Sequence, residues 1–380
     1  MRRLAKLFSL LVVPLLIVGA GCNKTNPVTT TSSNTNEEEI KIGYVGPLTG
    51  DVAAIGENML LGAQVAIDEI NEAGGIKGRK VKLIAEDGKC DGKSAMSAAT
   101  KLIESDKVVA IIGGVCSGET LVIAPLANNS KLPLISGGST NPSITNSGDY
   151  VFRFVPSDNF QGKHAADYIV NKLGKKKVAI LYSQTDWSTG VREAFKTSFA
   201  TLGGELVADE GFKADSRDLR SEITKIKAVR PDVLYFLSYT DGAVTGFNQM
   251  KKLGFDIPII GGDAFDDPKI PEQAGANANG VRYFYAANKA LPQTFIDKMA
   301  ARSGGKEIIV YTPRVYDIAK ALAKIIADVG TDGETIKNEL YKINNFQGIA
   351  DNYTLDENGD VATANYAMKE YFESKSREVK

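Results

Sequence analysis

The sequence of 380 residues predicts an α/β protein in which parallel β-sheets are flanked by helices and which is divided into two lobes. Short runs rich in Val, Ile and Leu, such as "VVAII" and "PDVLYFLS", alternate with helical stretches. This alternation indicates βαβ units whose sheets are covered on both faces. It starts at Lys41 and starts again after "YVFRFVPSD". The chain is also too long for one ordinary core and fits about two domains.

The first run of elements follows from periodicity and turn signals. "KIGYVGPL" predicts a strand, and the next stretch places Leu60, Ala63, Ile67 and Ile70 at helical spacing before a stop at "GG". The elements that follow are, in order, the strand "RKVKLIAED", the helix "GKSAMSAATKLIES", the strand "KVVAIIGG", a helix over 117–129 and the strand "LPLISGG".

The second run repeats this pattern. Its predicted strands are "KKVAILYS", "ELVADEGF", "PDVLYFLS" and "IPIIGG", and helical stretches such as "GVREAFKTSFATLGG" separate them. Two further helices, "YTPRVYDIAKALAKIIADVG" and "DGETIKNELYKI", come near the C-terminus. After them, "YTLDENGDVATANYAMKEYF" predicts a hairpin with Asn358-Gly359 at its turn.

The composition is that of a globular protein that binds neither nucleic acid nor an anionic membrane surface. Apolar residues make up 43% of the chain and charged residues 24%, with a net charge of −1. Binding to nucleic acid or to an anionic membrane would require a strong excess of positive charge, which the chain does not have.

The N-terminus predicts export. Arg2, Arg3 and Lys6 precede the apolar run "LFSLLVVPLLIVGAG", which is too short for a membrane span of about 20 residues and is interrupted by proline. The sequence "GAGC" resembles a bacterial lipoprotein box, in which Cys22 would be lipidated. The alternative is an ordinary secretory cut near Ala20. The polar segment "NKTNPVTTTSSNTNEEE" then predicts a flexible tether. The expected location is extracytoplasmic, either as a membrane-anchored lipoprotein or free in the periplasm.

Two cysteines remain in the predicted lobes, Cys90 and Cys116. In an oxidising, exported compartment an even pair is a candidate disulfide, and two unpaired buried thiols are the alternative.

Residue types for catalysis are scarce. The chain has a single histidine, His164, in a helical stretch, and it has neither an HExxH motif nor clustered cysteines and histidines. "GGVCSGET" lacks the lysine of a phosphate loop and the second glycine of a nucleophile elbow. We therefore expect no enzyme activity, no cofactor and no metal site.

Polar residues at predicted strand ends favour a binding site instead, because ligands of open α/β sheets lie beyond the carboxyl ends of the strands. Ser117 would start a helix whose free N–H groups suit a carboxylate, although it could equally be a simple N-cap, as could Thr140. In the second run, Trp187, Tyr239 and Asp263 each follow a strand end. The two aromatic residues could close over the aliphatic part of a ligand, and the acid could bind an ammonium group of the same ligand.

Four parts of the sequence carry a family resemblance: the stretch from "IKIGYVGPLTGDVAAIGEN" to "KLIAEDGKCD", and the segments "CSGET", "PLISGGSTNPSIT" and "FRFVPSDNFQGKHAADYI". They resemble the periplasmic leucine/isoleucine/valine-binding proteins, which are the type I solute-binding proteins of ABC importers. The resemblance covers about residue 40 to the C-terminus. It implies two Rossmann-like lobes joined by a three-strand hinge that close on the ligand. The implied crossings lie near 155–157, 286–287 and 347–348.

The predicted domains combine this resemblance with the N-terminal signals. They are a signal peptide (1–21), a lipidated flexible tether (22–39), an N-terminal lobe (40–156 with 288–348) and a C-terminal lobe (157–287 with 349–380).

The resemblance also implies roles for single residues. Ser117 and Thr140 match the residues that bind the amino acid's α-carboxylate, and Gly138 and Ser139 match small residues that contribute backbone contacts. Tyr239 matches a tyrosine near the α-ammonium group, and Asp263 stands where leucine-binding members carry glutamate. The pair Cys90 and Cys116 matches a family disulfide.

Three departures concern specificity. Ile55 and Trp187 replace aromatic residues of the side-chain pocket, and Glu119 replaces a small polar residue. A branched-chain or aliphatic amino acid between Ile55 and Trp187 is the first choice of ligand, whereas Glu119 and Asp51 would favour a polar or basic one.

The leading hypothesis is a monomeric substrate-binding protein that delivers an amino acid to an ABC permease and touches the membrane only through its lipid anchor. A second hypothesis is a ligand-sensing module for small amides, organic acids or polar amino acids that signals to a separate receptor. A hydrolase using Ser117 or Cys116 is the third.

Overall fold

The computed structural model describes residues 38–379. The predicted signal peptide, the tether as far as residue 37 and the lipidation site Cys22 lie outside the described residues. Within these, the α/β prediction is confirmed. Two mainly parallel sheets are flanked by helices and lie in two lobes.

The first sheet has five parallel strands in the order β2-β1-β3-β4-β5. They are β1 (Ile40–Gly46), β2 (Val81–Asp87), β3 (Ile111–Gly113), β4 (Leu134–Ser136) and β5 (Val151–Arg153). The helices between and after them are α1 (Ala53–Glu72), α2 (Gly92–Thr100) and α3 (Ser117–Asn129). The side chains of β1, β3 and β4 are almost wholly buried, as expected for parallel strands with helices on both faces.

The second sheet has seven strands in the order β14-β13-β10-β9-β8-β6-β7. Its parallel part contains β6 (Lys177–Ser183), β7 (Glu205–Phe212), β8 (Val233–Leu237), β9 (Ile259–Gly261) and β10 (Arg282–Ala286). The helices of this lobe are α4 (Asp158–Asp167), α5 (Asp186–Thr201), α6 (Arg220–Ala228), α7 (Thr240–Lys252) and α8 (Lys269–Ala274).

Three helices then return to the first lobe. They are α9 (Gln293–Ser303), α10 (Thr312–Val329) and α11 (Gly333–Leu340). Helix α10 lies against α1, and its Val315, Ile318 and Leu322 are buried in the same core as Met59 and Ala63 of α1. Burial of each such large aliphatic side chain contributes about 1.5–3 kcal/mol, so α10 is an integral layer of the first lobe.

The C-terminal segment differs from its prediction. The small pair β11 (Phe346–Gln347) and β12 (Asn352–Tyr353) precedes a turn at which Leu355 and Val361 form a single bridge and Gly359 has φ +78°. The turn at Asn358-Gly359 is present, but the predicted hairpin is limited to the residues next to this turn, and its longer arms pair with other strands. The strand that follows, β13 (Tyr366–Phe372), pairs antiparallel with β10 and with β14 (Lys375–Glu378). Pairing with the open edge of the second sheet satisfies more backbone groups than a short isolated hairpin would.

The chain passes between the lobes three times: after β5, after β10 and before β13. Ala350, Tyr353, Leu355 and Val361 are buried in the core of the first sheet. This packing favours a third passage after Val361 rather than near residue 348. The other lobe limits stay a prediction.

Within residues 38–379, the structure contains no helix with the length and apolar character that crossing a membrane requires. The same residues contain no group of three or more His, Cys, Asp or Glu side chains placed to hold a metal ion.

Candidate functional site

Loops from both lobes line a small cavity. It lies where β1, β3 and β4 of one sheet and β6, β8 and β9 of the other end. Its lining residues are Val52, Ile55, Val115, Cys116, Ser117 and Gly138 from the first lobe, Trp187, Tyr239 and Ala264 from the second, and Tyr311 from the loop before α10. Residues of both lobes line this one space, and hydrogen bonds join Asp241 to Asp51 and Asn141 to Asp186 across the cleft, so the two lobes are closed on each other in this structure.

Five residues predicted for the site meet at this cavity although they are far apart in the chain. They are Ile55, Ser117, Gly138, Trp187 and Tyr239. The carboxyl ends of parallel strands lie at one edge of a sheet, and the two sheets turn these edges towards each other. The site is therefore composite, and neither lobe forms it alone.

Hydroxyl and backbone donors are found at Ser117, which lines the cavity, and at Thr140, which is not among the lining residues. Ser117 is the first residue of α3, is only 1% exposed, and accepts the backbone N–H of Asn141 at 3.2 Å. Its own O–H hydrogen stays available. The Oγ1 of Thr140 is buried and has no hydrogen-bond partner within the described residues. A helix N-terminus with two hydroxyl donors is suited to an anionic group such as a carboxylate.

Ser139 has a different role from its neighbours. Its Oγ lies 2.7 Å from Thr120 Oγ1 and donates to the carbonyl oxygen of Gly114 at 3.0 Å. These bonds hold the loop after β4 against the loop after β3. The side chain of Ser139 therefore shapes the carboxylate end and does not itself line the cavity.

Two buried acids lie close to these donors, outside the set of residues that line the cavity. Asp263 follows β9, is 1% exposed, and its Oδ1 has no partner among the described residues. Asp158 is the first residue of α4 and is fully buried, and its Oδ2 is likewise unpartnered. Gln161 connects the two acids: its Nε2 donates to Asp158 Oδ1 at 2.8 Å, and its Oε1 accepts the Asp263 backbone N–H at 2.8 Å.

Burial controls the charge of these acids. It raises the pKa of the Asp263 carboxyl to about 6. Burial, followed by the nearby charge of Asp263, raises the pKa of Asp158 well above its ordinary value. A buried carboxylate oxygen without a partner is costly unless a cation or donor meets it. A cation or a proton at this pair would relieve that cost.

The sequence analysis missed Asp158 and Tyr311. Asp158 lies on the first passage between the lobes, and its backbone N–H donates to the carbonyl oxygen of Thr140 at 2.8 Å. The anion-binding end and the acidic end are therefore adjacent. The motif "PSDNFQ", with an acid three residues before a glutamine at the start of a helix, is the signal that could have identified Asp158.

The middle of the cavity is apolar and aromatic. The rings of Trp187 and Tyr239 lie 5.2 Å apart between centroids at 31° to each other. Val52, Ile55 and Ala264 complete the wall, and all three are buried. This surface is complementary to a small hydrocarbon group, and none of the described residues that line it is charged.

The disulfide between Cys90 and Cys116 is present, with its Cα atoms 5.4 Å apart, so this prediction is confirmed. It joins the loop after β2 to the start of α3. Because Cys116 directly precedes Ser117, the bond fixes the helix N-terminus that faces the cavity.

The structure does not bring Glu119 to the cavity. Its carboxylate is fully buried and accepts the backbone N–H groups of Cys90, Val115 and Cys116 at 2.9–3.0 Å. Glu119 is the third residue of α3, from which a glutamate reaches back to the N-cap. Burial raises its pKa to about 7. The predicted ligand role is thus replaced by one in holding two loops together.

Comparison with known proteins agrees with this architecture. A family model described as "Periplasmic binding protein" matches residues 39–374. An "Amino acid binding protein" of Pseudomonas aeruginosa is 31% identical, covering 88% of this chain and 90% of that protein.

Two solved structures are also similar. A leucine binding protein from Thermotoga maritima has a TM-score of 0.83 at 28% identity and covers 90% of this chain and 98% of the other. A branched-chain amino acid transporter substrate binding protein from Streptococcus pneumoniae, in complex with isoleucine, has a TM-score of 0.82 at 30% identity and covers 90% and 99%. The chain therefore belongs to the periplasmic Leu/Ile/Val-binding protein family of type I solute-binding proteins.

Proposed function

We propose that this chain is the extracytoplasmic substrate-binding protein of an ABC importer and that it binds an α-amino acid between its lobes. The observation that carries the proposal is the adjacency of the two polar ends. The backbone N–H of Asp158, at the acidic end, donates to the backbone carbonyl oxygen of Thr140, at the anion-binding end, at 2.8 Å. An α-amino acid carries its carboxylate and its ammonium group on one carbon, so it requires two such ends side by side.

In this proposal each end of the ligand meets its own residues. Ser117 and Thr140 donate to the α-carboxylate, with the first turn of α3 behind them. Asp263 and Asp158 accept from the α-ammonium group, and Tyr239 lies beside it. Charge-assisted hydrogen bonds of this kind are about twice as strong as neutral ones.

The side chain of the ligand is proposed to be aliphatic. Ile55, Val52 and Trp187 offer it an apolar surface, whereas Glu119 is occupied by backbone donors. The isoleucine complex of the S. pneumoniae relative supports this choice. A buried zwitterion with paired charges gives about 8 kcal/mol, which corresponds to a dissociation constant near or below micromolar.

Thermal unfolding in the presence of each amino acid tests the proposal. A ligand at 100 times its dissociation constant adds about 2.7 kcal/mol to stability. We expect leucine, isoleucine or valine to raise the midpoint most and the corresponding D-amino acids to leave it unchanged. If no L-amino acid raises the midpoint, the proposal is wrong.

We further propose that residues 1–21 are removed and that Cys22 is lipidated, which would leave a monomer anchored beside its permease. The sequence "GAGC" supports this step. The mass of the mature protein, purified from membranes, should show a diacylglycerol-modified Cys22 at the N-terminus. Release of a Cys22→Ser variant into the soluble fraction would support the anchor, and unchanged membrane attachment of that variant would contradict it.

A further inference from the structure

We infer that Asp51 latches the two lobes closed by capping helix α7 of the opposite lobe. Asp51 lies in the first lobe, in the loop between β1 and α1. Its Oδ1 accepts the backbone N–H of Asp241, the second residue of α7 in the second lobe, at 2.8 Å. This inference rests on the proposed function, because a latch requires lobes that open and close around a ligand.

Helix α7 has no cap of its own at this end. The N-cap position is Tyr239, whose side chain makes no capping hydrogen bond. The first N–H groups of a helix have no partner inside the helix and need an acceptor from elsewhere. In the closed structure Asp51 supplies that acceptor from across the cleft.

The contact is directly beside the cavity. Val52 directly follows Asp51 in the chain, and Tyr239 lies two residues before Asp241. Both Val52 and Tyr239 line the cavity. A change in the cavity wall therefore moves the two partners of this hydrogen bond. A second contact between the lobes joins the Nδ2 of Asn141 to the carbonyl oxygen of Asp186 at 2.5 Å.

The charges around Asp51 permit the contact. Burial, followed by the nearby carboxylate of Asp241, raises the pKa of Asp51 to about 7. The hydrogen bond from the Asp241 backbone N–H and the charge of Arg217, which forms an ion pair with Asp241, act in the opposite direction. The positive end of α7 also favours a carboxylate at this position. Asp51 thus binds the helix end through its acceptor oxygen and the helix dipole.

When the lobes separate, the backbone N–H of Asp241 forms its hydrogen bond with water instead of Asp51, and the cap is lost. The latch therefore stabilises only the closed form and slows release of a bound molecule. Loss of a capping carboxylate weakens a helix end by about 1 kcal/mol, which corresponds to about fivefold in an equilibrium constant. Asparagine caps helices as well as aspartate does, so the Asp51→Asn variant would keep the latch.

The test compares wild type, Asp51→Ala and Asp51→Asn, with Glu57→Ala as a matched control. Glu57 is an exposed acid of α1 that pairs with Lys306 in its own lobe. The probe is a mixture of the amino acids other than tryptophan and tyrosine. Closure is followed by small-angle scattering, and release by stopped-flow dilution with the fluorescence of Trp187, the single tryptophan, which lies in the cavity.

We expect Asp51→Ala to release the bound amino acid about fivefold faster, while Asp51→Asn and Glu57→Ala release it at the wild-type rate. Release from Asp51→Ala at the wild-type rate, after normal closure of the wild type, overturns the latch alone. Equal acceleration in the Ala and Asn variants overturns capping as its mechanism. If the mixture neither closes the wild type nor changes its fluorescence, the proposed function fails and the latch fails with it.

Discussion

Replacement of Asp263 by Asn should weaken amino-acid binding strongly without harming the fold. Asp263 is 1% exposed, and its Oδ1 has no partner among the described residues, so its charge is available for a ligand. Asn keeps the shape of the side chain and removes the charge. A hydrogen bond to a charged group contributes about 1.5–3 kcal/mol. Since 1.4 kcal/mol is a factor of ten, the dissociation constant should rise about 10- to 150-fold.

Isothermal titration calorimetry with the amino acid that gives the largest thermal shift measures this change. Asp267→Asn is the matched control, because Asp267 is also a fully buried acid near β9. Both oxygens of its carboxylate have partners, since Oδ2 accepts from Thr240 Oγ1 and Oδ1 accepts from the Lys269 backbone N–H, whereas Asp263 Oδ1 has none among the described residues. The control should bind within about threefold of wild type. Equal affinities of the Asp263→Asn variant and wild type would refute the role assigned to Asp263.

Three further predictions concern pH and stability. Burial raises the pKa of Asp263 to about 6, so a proton competes with the ligand's ammonium group below that pH. Calorimetry should therefore show full affinity above about pH 6 and a progressive loss of affinity below it. Glu119→Ala leaves three backbone N–H groups without their acceptor and should cost about 3 kcal/mol in urea unfolding. Reduction of the Cys90–Cys116 disulfide, whose partners are 26 residues apart, should cost about 3 kcal/mol in the same assay.

Each of these predictions has its own contradicting result. An affinity that is constant from pH 8 to pH 5 would mean that Asp263 keeps its charge throughout. A Glu119→Ala variant as stable as wild type would mean that water replaces the carboxylate at no cost. An unfolding midpoint that reduction leaves unchanged would mean that the loop is equally restricted in the unfolded chain.

Much of the site was accessible from the sequence because parallel sheets place their strand ends predictably. Ser117, Trp187 and Tyr239 each follow a strand end, and the structure brings all three to one cavity. The two cysteines of the predicted lobes made a disulfide between Cys90 and Cys116 a candidate, and the family resemblance implied it.

The rest depended on tertiary packing. Tyr311 lies in a loop before α10, and only the packing of that helix on the first lobe brings it to the cavity. Asp158 lies on a passage between lobes, where no strand end marks it. Glu119 illustrates a different limit, because a glutamate two residues after a helix start can serve a ligand or the helix itself. Its burial against three backbone donors, which the sequence does not reveal, decides between these roles.

The length of the C-terminal hairpin was predicted incorrectly for a similar reason. The turn residues Asn358 and Gly359 predicted a turn correctly, but local sequence says nothing about which strand is free to pair. The open edge at β10 is formed by residues about 80 positions earlier in the chain. Strand pairing over such a distance is determined by the assembled sheet.

The central claim is that the cleft recognises both the carboxylate and the ammonium group of an amino acid. Calorimetric titration of the ligand-free protein with L-leucine, 4-methylpentanoate and 3-methylbutylamine tests it most directly, since the last two share the aliphatic body and lack one charged group each. We predict binding of leucine at micromolar concentration or below and at least 100-fold weaker binding of both analogues, because each leaves buried partners unpaired. If 4-methylpentanoate bound as tightly as leucine, the acids Asp158 and Asp263 would not serve an ammonium group and the central claim would be contradicted.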